Sequence, residues 1–161
     1  RGEDGIKMVS AKQETPIYGY HFDQFQQCFD RLTTIKDLIV CSRGEDGILM
    51  THVVEGGPIY GYHFDQFQQC FDRVNSITMG LVCSRGDDGI MMVSVRTCAP
   101  VYGYHFTEFN SCFDRLDTAR NGLVCSRGDQ GIRAVRVEDG NPLPTRGYNT
   151  FEQCFVSLDN H

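Results

Sequence analysis

The chain has 161 residues, 40% of them hydrophobic and 22% charged, proportions of a globular protein and not of a disordered one. Fifteen Lys and Arg against 21 Asp and Glu leave a net charge of −6. This argues against nucleic acid and anionic membranes as partners, since both call for a basic face. No apolar run approaches the roughly 18–20 residues of a membrane span, so membrane insertion is not expected.

Self-similarity dominates the sequence. Arg1-Gly2-Glu3-Asp4-Gly5-Ile6 returns at Arg43, at Arg85 (with Asp87) and at Arg127 (with Asp129 and Gln130), a step of 42 residues each time. Pro16, Pro58, Pro100 and Pro142 keep that register, and so do Cys28, Cys70, Cys112 and Cys154. Residues 16–31 are identical to residues 58–73. The expectation is one repeat domain over 1–161, made of repeats 1–42, 43–84, 85–126 and 127–161, the fourth ending before the Leu-Val-Cys-Ser stretch that closes the others.

Within a repeat the elements follow from pattern. Ile48 to Val53 is β-prone, and so is Leu38 to Ser42; the Gly-flanked acidic turn between them reads as a hairpin. Phe25, Cys28, Phe29 and Leu32 fall at i, i+3, i+4 and i+7, one face of a short helix over about 24–32. Asp23, Asp65, Thr107 and Asn149 stand where N-caps belong, with Gln26, Gln68, Asn110 and Glu152 three residues on. Phe25 and Phe29 are read as core. The fold class is therefore α+β: four tandem units of strand–turn–strand–loop–short helix, stapled by disulfides. So small a unit cannot bury both faces of its hairpin, so neighbours must cover one another. The alternative is an all-β ring resembling a four-bladed propeller, since the period also suits a blade.

Eight cysteines at fixed positions suggest a disulfide framework and an oxidising compartment. Two connectivities compete. The favoured one joins each helix to the strand after it (Cys28–Cys41, Cys70–Cys83, Cys112–Cys125) and pairs Cys98 with Cys154, which uses every cysteine. Its rival joins each strand to the next helix (Cys41–Cys70, Cys83–Cys112, Cys125–Cys154). A sequence without an initial Met and without a signal peptide is then read as a processed, secreted protein.

Four groups of residues invite a chemical reading. The Arg-Gly-Asp tripeptides at 85–87 and 127–129 could dock in an adhesion receptor, though they are also simply the repeat's turn. His21, His63 and His105 could converge on a metal if the units surrounded an axis. The acidic turns at 3–4, 45–46 and 87–88 could hold calcium, but two adjacent carboxylates fall far short of a calcium loop. No metal and no cofactor is expected. The aromatic cassette carries the most information. Tyr18, Tyr20, His21 and Asp23 recur as Tyr60, Tyr62, His63 and Asp65, then as Tyr102, Tyr104 and His105, with Tyr148 and Asn149 in the fourth repeat. Aromatic faces beside polar side chains are what a sugar site needs.

The functional expectation is a secreted, non-catalytic, multivalent carbohydrate-binding protein with one equivalent site per repeat, its partners being glycans or cell-surface glycoconjugates. Catalysis is not expected, because each candidate group recurs in the same setting and none converges with a different one. The alternative is a structural protein of an extracellular fibre, coat or matrix, self-associating through the unpaired N-terminal hairpin strand.

Overall fold

The structure, a computed structural model, describes residue 2 and residues 5–160. It is a small α+β fold with four helices, antiparallel hairpins and three disulfides. The helices exclude the all-β ring. The chain divides into two compact units, Arg1–Ser76 and Ile77–His161.

The first unit holds helix α1 (Phe25–Leu32), strands β1 (Ile39–Gly44) and β2 (Gly47–His52), and helix α2 (Phe67–Asn75). β1 and β2 form an antiparallel hairpin that pairs Ile39 with His52 at one end and Gly44 with Gly47 at the other. Two residues, Glu45 and Asp46, make the turn. Gly47 has φ +96°, and a Cβ there would lie 2.7 Å from the His63 Cβ, so both its conformation and its packing demand glycine. On its far edge β2 meets the returning chain at Thr51–Pro58 and Ile48–Phe64, which aims the polypeptide into α2. Ahead of this hairpin, Ile6 pairs with Phe22 and Val9 with Pro16. Ile6, Met8, Ile17 and Cys28 form a core together with Val40.

The second unit repeats the pattern twice. Strands β3 (Leu81–Gly86), β4 (Gly89–Ser94) and the short β5 (Ala99–Pro100) precede α3 (Phe109–Asp117). Strands β6 (Leu123–Gly128) and β7 (Gly131–Arg136) precede α4 (Phe151–Leu158). Leu81, Cys83, Ile90 and Met92 face Cys112 and Leu116 of α3, and the same cluster takes in Val124, Val135 and Val137 of the next hairpin. One face of a hairpin therefore meets its own helix, and the other covers its neighbour.

Three expectations are corrected. The disulfides are Cys41–Cys70, Cys83–Cys112 and Cys125–Cys154, and Cys28 and Cys98 stand outside them. Helices α2, α3 and α4 each fold back over the hairpin that precedes them, so their cysteines meet the strand behind and not the one ahead. Second, the helices start one residue later than their capping pattern implies, with N-caps at Gln24, Gln66, Glu108 and Thr150. The Gln27 side chain accepts the amides of Asp23 and Gln24 at 3.1 and 3.2 Å, and Gln69 does the same at Asp65 and Gln66. Orphan amides are thus satisfied from inside the helix. Gln26 and Gln68 bond instead to Asp30 and Asp72 one turn on. Third, Phe25 and Phe29 are about half exposed and stack on each other at 6.0 Å. Strand aliphatics and the helix cysteines fill the core, which leaves these rings at its margin.

Candidate functional site

The aromatic cassette divides into an anchoring half and an exposed half. In the first unit the Tyr18 hydroxyl donates to the Gly47 carbonyl at 2.8 Å and accepts the Asp46 amide at 3.1 Å. It pins the acidic turn of the following hairpin, and burial raises its phenol above the ordinary value. Tyr102 makes the same two bonds to Gly131 and Gln130, at 2.7 and 2.9 Å. Tyr18 and Tyr102 therefore hold the hairpins in place. Tyr20, Tyr62 and Tyr104 behave differently: their exposures are 56%, 55% and 56%.

In the second unit Tyr104 borders an open groove of about 390 Å³, lined also by His105, Phe106, Arg115, Ser126, Arg127 and Phe151. The backbone fixes this arrangement. The Tyr104 amide donates to the Arg127 carbonyl, and the Phe106 amide to Ile90, both at 2.8 Å. Gly103, at φ +137°, lies against the Ser126 side chain, where no Cβ would fit. Arg115 stacks on Phe151 at 3.7 Å, with Arg127 over the same ring at 5.4 Å. Arg115 also donates to the Cys125 carbonyl at 3.3 Å. Burial, helped by the Arg127 charge, lowers its pKa, but a guanidinium still stays charged at any ordinary pH. A hydrogen bond with Asp129 holds the Tyr104 phenol above its usual value. The groove thus presents an aromatic face, an imidazole, a hydroxyl and two guanidinium groups.

The first unit places the corresponding residues alike. The Tyr20 amide donates to Arg43 at 2.7 Å, and Ser42 donates to the Tyr18 carbonyl at 2.6 Å. Arg31 lies 4.0 Å over Phe67 and Arg43 lies 5.3 Å over it. Exposed His21 approaches Asp23 at 3.6 Å, as His63 approaches Asp65 at 3.7 Å. The fourth cassette differs. Tyr148 pairs with Ile132, where the other repeats have Phe22, Phe64 and Phe106, and like Phe151 and Phe155 it packs against the core of Leu123, Cys125, Ile132 and Cys154. Arg146 and Gly147 occupy the places of the exposed Tyr and His. The Asn149 amide donates to Gln153 at the start of α4.

The remaining candidates are quickly located. Arg85 and Arg127 lie over Phe109 and Phe151, and Asp129 engages Tyr104, so the Arg-Gly-Asp side chains take part in the fold. Among the described residues no three His, Cys, Asp or Glu side chains come together as a metal site; Glu3 and Asp4 lie outside those residues. Sequence reasoning missed the arginines. Their signal was available, since Arg31, Arg73 and Arg115 recur at the repeat step and so do Arg43, Arg85 and Arg127. Comparison with family models, with curated proteins and with solved structures finds no match to the chain.

Proposed function

We propose that the chain is a secreted, non-catalytic binding protein of four tandem hairpin–helix units, whose Tyr-His loops bind carbohydrate at several equivalent sites. The observation that carries this reading is the half-exposure of Tyr20, Tyr62 and Tyr104 in a chain that uses its other cassette tyrosines, Tyr18 and Tyr102, as backbone anchors. An exposed phenol ring offers a face for the apolar C–H patch of a sugar. The adjoining imidazole and guanidinium groups offer donors for hydroxyls or an acidic substituent. Each such site is weak, and three of them on one chain raise avidity without new contacts. The fourth loop, with Arg146 and Gly147 in place of Tyr and His, makes the weakest contribution.

A glycan array tests this, with neutral and acidic glycans both represented. Retention of a defined class, competed away by the free sugar and lost in the Tyr20→Ala/Tyr62→Ala/Tyr104→Ala variant at unchanged circular dichroism, is expected. Absence of retention on every glycan class overturns it. The second reading, a self-assembling extracellular structural protein, draws on the exposed apolar side chains Val9, Leu32 and Leu38, which are 56%, 44% and 50% exposed. Light scattering that grows with concentration, together with indifference to sugars, would select it.

A further inference from the structure

Arg115 of α3 and Arg127 of β6 are brought to one ring, Phe151 of α4, at 3.7 and 5.4 Å. In the first unit Arg31 of α1 and Arg43 of β1 stand over Phe67 of α2 at 4.0 and 5.3 Å. A strand carbonyl holds one arginine of each pair. Arg115 donates to Cys125 at 3.3 Å, and Arg31 to Cys41 at 3.1 Å. Among the described residues none of these four guanidinium groups stands in an ion pair, whereas Arg96, Arg120 and Arg136 pair with Glu138, Asp159 and Asp139. The chain has 21 acidic residues against 15 basic ones, so carboxylates are not scarce.

Like charges gathered on one ring without a counter-charge repel each other. Burial and then the Arg127 charge lower the pKa of Arg115, and burial and the Arg43 charge do the same to Arg31. Stacking occupies the face of a guanidinium and leaves its N–H edge for an oxyanion, in a fork that matches a carboxylate. In the second unit both arginines line the groove of about 390 Å³ beside Tyr104, His105 and Ser126, a size suited to a small ligand. No carboxylate is part of that lining; Asp129, which bonds the Tyr104 phenol, lies outside it. His105 is freer of acid than its counterparts. His21 approaches Asp23 at 3.6 Å, but exposed Thr107 stands at the corresponding place of the third repeat.

We propose that the Tyr104 groove takes an acidic sugar, with the sugar ring on Tyr104 and its carboxylate or sulfate ester on the N–H edges of Arg115 and Arg127. This rests on the carbohydrate reading and narrows it to glycans that carry an oxyanion. The Tyr20 loop with Arg31 and Arg43 is a second site of the same kind, weakened by Asp23 beside its imidazole. The site is a groove and not a basic stripe, and the net charge of −6 opposes long polyanions such as nucleic acid.

The test is an NMR titration of the full chain, followed at the Arg115 and Arg127 side-chain N–H signals and the Tyr104 ring so that the two units are read separately. The probes are lactose, its 3′-sulfate, 3′-sialyllactose and inorganic sulfate. At least one acidic derivative should bind about tenfold or more tightly than lactose, the order that one charge-assisted pair supplies, and more tightly than inorganic sulfate. Which derivative binds assigns the oxyanion as sulfate or carboxylate. Arg127→Gln, at unchanged circular dichroism, should remove that advantage, and Arg96→Gln, which deletes the same charge outside the groove, should leave it. Thr107→Asp keeps both arginines and sets an acid beside His105; it should weaken the acidic derivative by about two- to fivefold. Acidic derivatives that bind no better than lactose, an advantage untouched by Arg127→Gln or lost equally in Arg96→Gln, or inorganic sulfate bound as tightly as the sulfated sugar would each overturn the proposal. Neutral glycans retained on the array by the Tyr20, Tyr62 and Tyr104 loops would then leave the carbohydrate reading standing without it.

Discussion

α1 and α2 share seven consecutive residues and fold into the same short helix, but they lie in different surroundings. α2 sits on β1, with Cys70 bridged to Cys41 and Val74 buried. α1 has Cys28 outside the three disulfides and leaves the larger Leu32 about half exposed. Helix formation is therefore a local matter of spacing and of the Gln27 or Gln69 side chain, which is the same in both. Burial is not local. It is conferred by strand β1, whose Cys41 is bridged to Cys70 of α2, and no described segment meets α1 in the same way. Helix stability in proteins generally comes from such packing and not from propensity, and here the identical sequence makes the separation clean.

The largest expected effect is on the sulfur side of this comparison. The Cys41→Ala/Cys70→Ala variant opens a cross-link of sequence separation 29 and should lose about 3–4 kcal/mol in urea denaturation. Cys28→Ala, at a cysteine outside the three disulfides, should lose no more than about 1.5 kcal/mol from packing alone. Equal losses would mean that α1 and α2 are supported alike. The aliphatic side gives a smaller contrast in the opposite order of side-chain size. Val74→Ala should cost about 2 kcal/mol, and the larger truncation Leu32→Ala under about 1 kcal/mol, because half of Leu32 already meets water.

A third contrast concerns the turn that leads into each hairpin. Gly80 and Gly122 have φ near +79° and +77°, but Leu38 adopts φ +70° at the corresponding position of the first unit. A side chain in that left-handed region costs on the order of 1–2 kcal/mol. Leu38 is half exposed, so the apolar contact it offers in return is small. Leu38→Gly should therefore raise the unfolding midpoint, by the equivalent of about 0.5–1 kcal/mol, and Gly80→Leu should lower it. A drop on Leu38→Gly would show that its apolar contact with the cavity it lines beside Ile17, Leu32 and Val53 outweighs the backbone strain.

What the sequence disclosed and what it withheld follow one division. The Phe25–Cys28–Phe29–Leu32 spacing revealed the helix, and the glycines around Glu45-Asp46 revealed the hairpin, because both are local signals. The capping residue was misplaced by one, since a glutamine that reaches back from position 27 is a weaker signal than an aspartate at position 23. Disulfide pairing was misread through the assumption that all eight cysteines pair. The order hairpin-then-helix already implied that each helix returns to the strand behind it, which favours Cys41–Cys70. In the cassette, Tyr18 and Tyr20 look equivalent in sequence. Only the position of the following hairpin turn, which receives the Tyr18 hydroxyl, makes one an anchor and leaves the other exposed. The guanidinium groups of Arg115 and Arg127 were legible only as repeated letters, because their shared ring, Phe151, lies far along the chain from Arg115.

The smallest effect is expected at the end of β2, where the comparison between repeats continues. Ser10 donates its hydroxyl to the Val54 carbonyl at 3.0 Å, and Ser94 donates to Val137 at 2.8 Å. The corresponding residue between them is His52, which is buried. Its Nδ1 instead accepts the amides of Val54 and Glu55, both at 3.2 Å. That geometry requires an unprotonated Nδ1, and protonation would set an N–H against two N–H donors. Burial lowers the His52 pKa, only partly opposed by the Glu55 charge. The unfolded chain therefore binds this proton more readily than the folded one. The contribution of His52 to stability is complete above the unfolded histidine value of about 6.5 and declines as pH falls below it. Urea midpoints measured from pH 7.5 down to about pH 5 should fall more steeply for the native chain than for His52→Ser, which installs the residue of the neighbouring repeats. The two profiles should converge in slope above pH 7, where the imidazole is neutral in both states; parallel profiles throughout would place the acid sensitivity elsewhere.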